Sequence, residues 1–154
     1  MPKRPPKPAP AFTLQPGESI TFVLPVVPRT KKNHGQVVQR GTRKFHVSSD
    51  AYQEMEAKIK SFSCSLGGYV LHRSHLVLLA SFRLAQPLNC CAIFYRDADR
   101  GDAVGYYQGL ADCLEAAGVV SDDKWIKQWD GSRLRKDAHR PRIEVTLTAV
   151  SDDT

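Results

Sequence analysis

Apolar and aromatic side chains recur at three- and four-residue intervals at Val104, Tyr107, Leu110, Ala111, Leu114 and Ala117. That spacing marks one buried stripe on a helix and no strand alternation. Asp102 stands in a helix-start position before it and Gly118 in a stop position after it. A second stripe, Tyr52, Met55, Ile59 and Phe62, follows Ser48 and Ser49, either of which suits an N-cap; Lys58 and Lys60 lie beside it, and Gly67-Gly68 ends the region. Strand patterns occupy residues 20–27 (ITFVLPVV), stopped by Pro25 and Pro28, and residues 142–150 (RIEVTLTAV), whose alternation marks a half-buried strand. The apolar run 76–84 (LVLLASFRL) reads as a central strand leading through Pro87 into residues 92–95, and 124–129 (KWIKQW) as a strand returning antiparallel to the second helix. Residues 37–45 (VVQRGTRKF) read as a hairpin with Gly41 at its turn. Together these elements predict an α/β domain with a mixed sheet and two main helices packed on it.

Composition places 154 residues in one domain. Residues 1–16, proline-rich with Lys3, Arg4 and Lys7, read as a flexible basic arm; 17–150 form the domain and 151–154 a short acidic tail. A net charge of +6 favours a polyanionic partner. No apolar run reaches the ~18 residues of a membrane span, and the N-terminus lacks the apolar region of a signal peptide, so a cytoplasmic location is expected. Cys64, Cys90, Cys91 and Cys113 include no C-x-x-C pair and read as buried thiols. His72 and His75 have half of a zinc spacing without a second half.

Candidate chemistry lies between residues 95 and 129, where an acidic loop (Asp97, Asp99, Asp102) and an acidic pair (Asp122, Asp123) flank the second helix. Carboxylate oxygens in such numbers suit Mg²⁺, with Mn²⁺ as a substitute. A helix of ~14 residues is ~20 Å long, so Asp102 and Asp123 can share a metal only if the tertiary fold or a second subunit brings them together. Upstream, Arg29, Lys31, Lys32, Arg40, Arg43 and Lys44 accumulate with no acidic residue among them, and Arg100 joins them from the acidic loop; they are the expected phosphate contacts. Phe94 and Tyr95 belong in the core or, if exposed, could stack on unpaired bases.

Across residues 20–149 the chain resembles the RusA-type Holliday-junction resolvases, in a phage or prophage-like form. Asp102 matches the first Asp of that family's helix-start motif, Asp112-Cys113-Leu114 its helical Asp-x-Leu, and Asp122-Asp123 its closing pair; PRTKKN at 28–33 and SSDAYQ at 48–53 are similar to its early basic turn and first helix entry. Val104 stands where the family has a second Asp, and Gln108 where it has a Lys. The resemblance implies a homodimeric, Mg²⁺-dependent endodeoxyribonuclease of DNA recombination and repair, resolving four-way junctions by symmetric nicks in a bacterial cytoplasm. Asp102, Asp122 and Asp123 would be its metal ligands, and Asp97 or Asp99 would supply the missing carboxylate. The alternative implied by Val104 and Gln108 is a junction-binding accessory protein of the same fold that does not cut.

Overall fold

The computed structural model describes residues 12–31, 36–40, 43–47 and 50–151, the two segments 36–40 and 43–47 by their backbone only. Nine strands and two α-helices follow one another among these residues. In chain order they are β1 (Ser19–Leu24), β2 (Gln36–Arg40), β3 (Arg43–Val47), α1 (Asp50–Ser63), β4 (Tyr69–His72), β5 (His75–Leu78), β6 (Leu88–Arg96), α2 (Ala103–Ala116), β7 (Ile126–Gln128), β8 (Arg133–Lys136) and β9 (Arg142–Ala149).

The main sheet is mixed, as the strand patterns predict. Its order is β1-β9-β6, with β7 and β8 both beside β6. β9 runs antiparallel to both its neighbours, and β7 and β8 run parallel to β6. Period-two alternation divides the sheet into two faces. Ile20, Phe22 and Leu24, then Leu88, Cys90, Ala92 and Phe94, then Ile143, Val145, Leu147 and Ala149 are buried in one core with Tyr52, Met55 and Ile59 of α1 and Leu110, Cys113 and Leu114 of α2. Burial of each such large side chain contributes about 1.5–3 kcal/mol before ordering costs are counted.

Several expectations need correction. The central strand is β6, because residues 76–84 instead complete a hairpin of β4 with β5 and then turn through a short 3-10 segment, Leu79–Ser81. An apolar run alone does not distinguish a central strand from a hairpin leading into a buried turn. Residues 124–129 do not run back along α2: Asp123–Trp125 make a 3-10 turn, and β7 joins the sheet parallel to β6. The stripe of α2 is also rotated. Val104 is 60 % exposed, while Tyr106 and Cys113 are buried. Residues 12–16 pack on the domain, with Leu14 buried and its backbone clasped from both sides by the Gln86 amide. Residues 1–11 and 152–154 lie outside the described residues, as do Ser48 and Ser49, offered as caps.

The remaining elements match their patterns. The hairpin of β2 with β3 forms antiparallel, with Gly41 outside the described residues. α2 starts at an Asp102 cap whose Oδ1 accepts from the Gly105 N–H, and it stops at Gly118 with φ +80°. Of the cysteines, Cys90 and Cys113 are buried, Cys91 is half-buried and Cys64 is exposed. Burial pushes the Cys113 thiol up to about 12 and the Cys90 thiol up as well, which keeps both protonated at neutral pH. No helix among the described residues is long and apolar enough to cross a membrane.

Gly118 combines left-handed backbone with tight space, since a Cβ there would meet the Ala80 carbonyl oxygen at 3.0 Å. Gly118→Ala should therefore destabilise the domain by about 1–2 kcal/mol. Urea unfolding would register this as a lowered midpoint at unchanged slope; an unchanged midpoint would refute it.

Candidate metal centre

The C-terminal half of α2 presents Asp112 and, one turn later, Glu115 on neighbouring positions of one surface. Beyond Gly118 the chain reverses and is anchored by buried Val119 and Val120, whose N–H groups both point to the Leu114 carbonyl. A parallel bridge of Val120 with Leu84 and a bond from the Ser121 N–H to the Leu84 carbonyl fix the course of the chain up to Ser121. This returns Asp122 and Asp123 to the end of α2. The Asp123 N–H donates to Glu115 Oε1 at 3.0 Å, and Asp122 Oδ1 accepts from the Lys124 N–H at 3.0 Å. Carboxylate oxygens of Glu115, Asp122 and Asp123 all lie within 4.8 Å of one another.

This crowding has an electrostatic signature. The Asp123 carboxyl is held above its ordinary range, first by partial desolvation, then by a hydrogen bond with Asp122, and further by the charges of Glu115 and Asp112. Asp112 faces the same point and also receives Lys31, whose Nζ sits 3.1 Å from Oδ2. The arrangement is a group of hard oxygen donors with one ammonium beside it, a set that fits a small divalent cation.

Lys31 reaches this place because α2 carries glycines one turn apart. A Cβ at Gly105 would come within 3.3 Å of the Thr30 side chain, and one at Gly109 within 3.4 Å of the Arg29 carbonyl oxygen and 3.2 Å of Tyr52. The extended segment of residues 29–31 therefore lies against the helix surface itself. Tyr52 of α1 closes the contact: its hydroxyl donates to the Gly109 carbonyl at 3.1 Å and receives the Cys113 thiol at 3.6 Å.

The other predicted site residues are distributed differently. Asp102 sits at the opposite end of α2 from Glu115, about 20 Å away at 1.5 Å per residue, so one chain does not bring Asp102 and Asp123 together. Asp97 is paired with Arg29 at 3.4 Å and Asp99 with Arg96 at 3.2 Å. Arg29 is thus engaged within the chain. The exposed Arg100 lends its carbonyl to Arg96 and to the Tyr106 hydroxyl. Lys32 and the side chains of Arg40, Arg43 and Lys44 lie outside the described residues. Phe94 is in the core, and one face of the Tyr95 ring is covered by the Arg142 guanidinium at 3.7 Å. His72 is buried between Phe12 and Phe82, 3.7 Å from Glu18, on a hairpin strand opposite His75.

Sequence reasoning missed Glu115 and the two glycines. The three-residue offset of Glu115 from Asp112 was available as a signal, since it puts both carboxylates on one helix surface. The Gly105/Gly109 pair was legible as a route for close approach.

A raised carboxyl pKa means that the folded state holds the proton more tightly, so stability from this group is present below the ordinary value and is lost as pH rises through the raised one. Asp123→Asn removes that loss. In EDTA at pH 7 the variant should melt at a higher temperature than wild type, with the gap closing below about pH 4. Added Mg²⁺ or Mn²⁺ should raise the melting temperature of wild type and leave the variant unmoved; equal shifts in both would rule out a cation at this cluster.

No protein-family model and no curated protein matches this chain.

Proposed function

We propose that the protein is a Mg²⁺-dependent, structure-selective endodeoxyribonuclease that resolves four-way DNA junctions, acting as a homodimer. The observation that carries this reading is the convergence of Asp112, Glu115, Asp122 and Asp123 beside Lys31, in a chain of net charge +6 that resembles the RusA-type resolvases. Three carboxylates crowded enough to raise the proton affinity of one of them are relieved by a divalent cation, which is what such a cluster would hold. When bound, a hard cation supplies Lewis acidity at a phosphodiester and lowers the pKa of adjacent water. Glu115, Asp122 and Asp123 would hold it, with Asp112 setting the position of Lys31. The Lys31 ammonium lies beside the cluster and would offset charge developing on a phosphate oxygen. It stands in for the lysine that the resemblance places at 108, where this chain has an exposed Gln108.

A junction is resolved by two symmetric nicks, which calls for two active sites related by a two-fold axis. A surface suited to self-association supports this. The β4–β5 hairpin turns outward Leu71 and Leu76, a cross-strand pair 67 % and 69 % exposed, and Tyr69 on the same face; Leu66 just before it is 90 % exposed. Exposed apolar side chains paired across two strands offer a self-complementary contact face. Leu71→Lys with Leu76→Lys should convert a dimer to a monomer in sedimentation analysis; an unchanged mass would exclude the hairpin as the dimer face.

Asp102 keeps a second arrangement in view. Its Oδ1 caps the helix, it is exposed, and the resemblance makes it a ligand. In a two-fold dimer, Asp102 of the partner subunit would complete the cluster around Asp123. Labelled four-way junctions, beside linear duplex, in Mg²⁺ and in EDTA distinguish the cases. Asp123→Asn should lower Mg²⁺-dependent paired nicking by about a hundredfold or more. Asp102→Asn retains a capping side chain, so a loss of cleavage in it would reflect chemistry, not folding. Recovery of nicking when Asp102→Asn and Asp123→Asn subunits are mixed would place the two residues in one shared site; full activity of Asp102→Asn alone would leave it as a cap. Tight junction binding with no nicks under any metal would favour the accessory-protein reading to which Val104 and Gln108 point.

A further inference from the structure

We infer that the open face of the sheet, along strand β8, binds the phosphate backbone of DNA. This deepens the nuclease reading, on which it rests for its choice of polyanion, by assigning a DNA surface to residues remote from the acidic cluster.

Among the described residues β8 is an outer strand, paired only with β6 and in parallel. Its register sets Arg133 opposite Ile93 and Arg135 opposite Tyr95, so both arginines share the face of Tyr95, turned away from the face where Phe94 joins the core. On the other side of Tyr95 lies Arg142 of β9. Its guanidinium stacks over the Tyr95 ring and is held by Asp137 at 3.0 Å and Glu144 at 3.8 Å. Arg142 is thus committed within the chain. Arg133 and Arg135 are exposed and make no ion pair with any described residue; nor do Lys136 and Arg140.

The charge balance argues for a ligand. Residues 133–142 (RLRKDAHRPR) hold five Lys and Arg against a single acid, Asp137, and that acid is already taken by Arg142. Blunting the edge of a sheet against aggregation needs only a charge or two of either sign. Along β8 itself, Arg133–Lys136, the sign is uniform. Residues two apart on a strand are about 7 Å apart, so Arg133 and Arg135 are spaced like charges meant for a run of phosphates, not for one small anion. Farther along the open face, beyond Glu144, whose carboxylate lies 3.8 Å from the Arg142 guanidinium, paired hydroxyls of Ser19 with Thr148 and Thr21 with Thr146 add neutral donors.

The test is binding of a fluorescent four-way junction and a duplex, in EDTA so that nothing is cut, across a salt series. The proteins compared are wild type, Arg133→Gln with Arg135→Gln, Arg133→Lys with Arg135→Lys, and a control, Lys58→Gln with Lys60→Gln, which removes two exposed cations from α1. The glutamine pair should weaken binding about tenfold or more and reduce the slope of log K against log salt by about 1.8, two phosphate contacts at 0.9 each. The lysine pair should keep the slope, which a merely structural role for the arginines would not predict. An unchanged slope in the glutamine pair, or an equal loss in the α1 control, would overturn the assignment. So would a glutamine pair that loses binding to phosphatidylserine vesicles while holding DNA as before. Cleavage by wild type and its loss in Asp123→Asn are read separately, so this surface can fail while the nuclease reading stands, and the reverse.

Discussion

Two glycines on α2 set the distances on which the rest of the site depends. Without side chains at 105 and 109, the segment of residues 29–31 lies directly on the helix, and Tyr52 of α1 locks it there through the Gly109 carbonyl. A helix surface bearing ordinary side chains would hold that segment several ångströms farther off, and the Lys31 ammonium would not reach Asp112. One close approach thus joins the first helix, the second helix and the basic segment before the β2–β3 hairpin. The buried Tyr52 hydroxyl is satisfied in the same contact, whereas the Thr30 hydroxyl, buried against Gly105, has no hydrogen-bond partner among the described residues.

Against that scaffold the acidic residues divide by what surrounds them. Those at the start of α2 are each occupied: Asp97 and Asp99 by arginines, Asp102 by a helix N–H. Those at its end are crowded by like charge, with one lysine for four carboxylates. Carboxylates crowded by one another gain more by taking up a cation than carboxylates already paired with an arginine. The helix between them is rigid and spans about 20 Å, so the two groups act as separate units within a chain. Only an assembly could unite them.

The sheet adds a second division, between its faces. The helical face is apolar and carries the core; the open face is hydroxylated along β1 and β9 and cationic along β8. Positive charge on this face and negative charge at the end of α2 lie on different sides of the domain. That segregation keeps the arginines of β8 from neutralising the carboxylates at the end of α2.

Local order was legible from the sequence wherever the determinant was local. The caps of α2 at Asp102 and Gly118, the stripe of α1, the alternation of β9 and the β2–β3 hairpin follow from residue spacing and turn chemistry within a few positions. Carboxylate content pointed to acidic groups on both flanks of α2, with Asp102 and Asp123 sharing a metal; in the fold the carboxylates that gather are those of Glu115, Asp122 and Asp123, with Asp102 apart. Tertiary structure decided the rest, because it depended on contacts between distant segments. It chose which run became the central strand, rotated the buried stripe of α2 away from Val104, and turned residues 126–128 into a strand parallel to β6. It also brought Lys31 and Glu115 to the acidic pair while leaving Asp102 a helix-length away, since no periodicity in a sequence records how far apart two ends of a helix stand from a third segment.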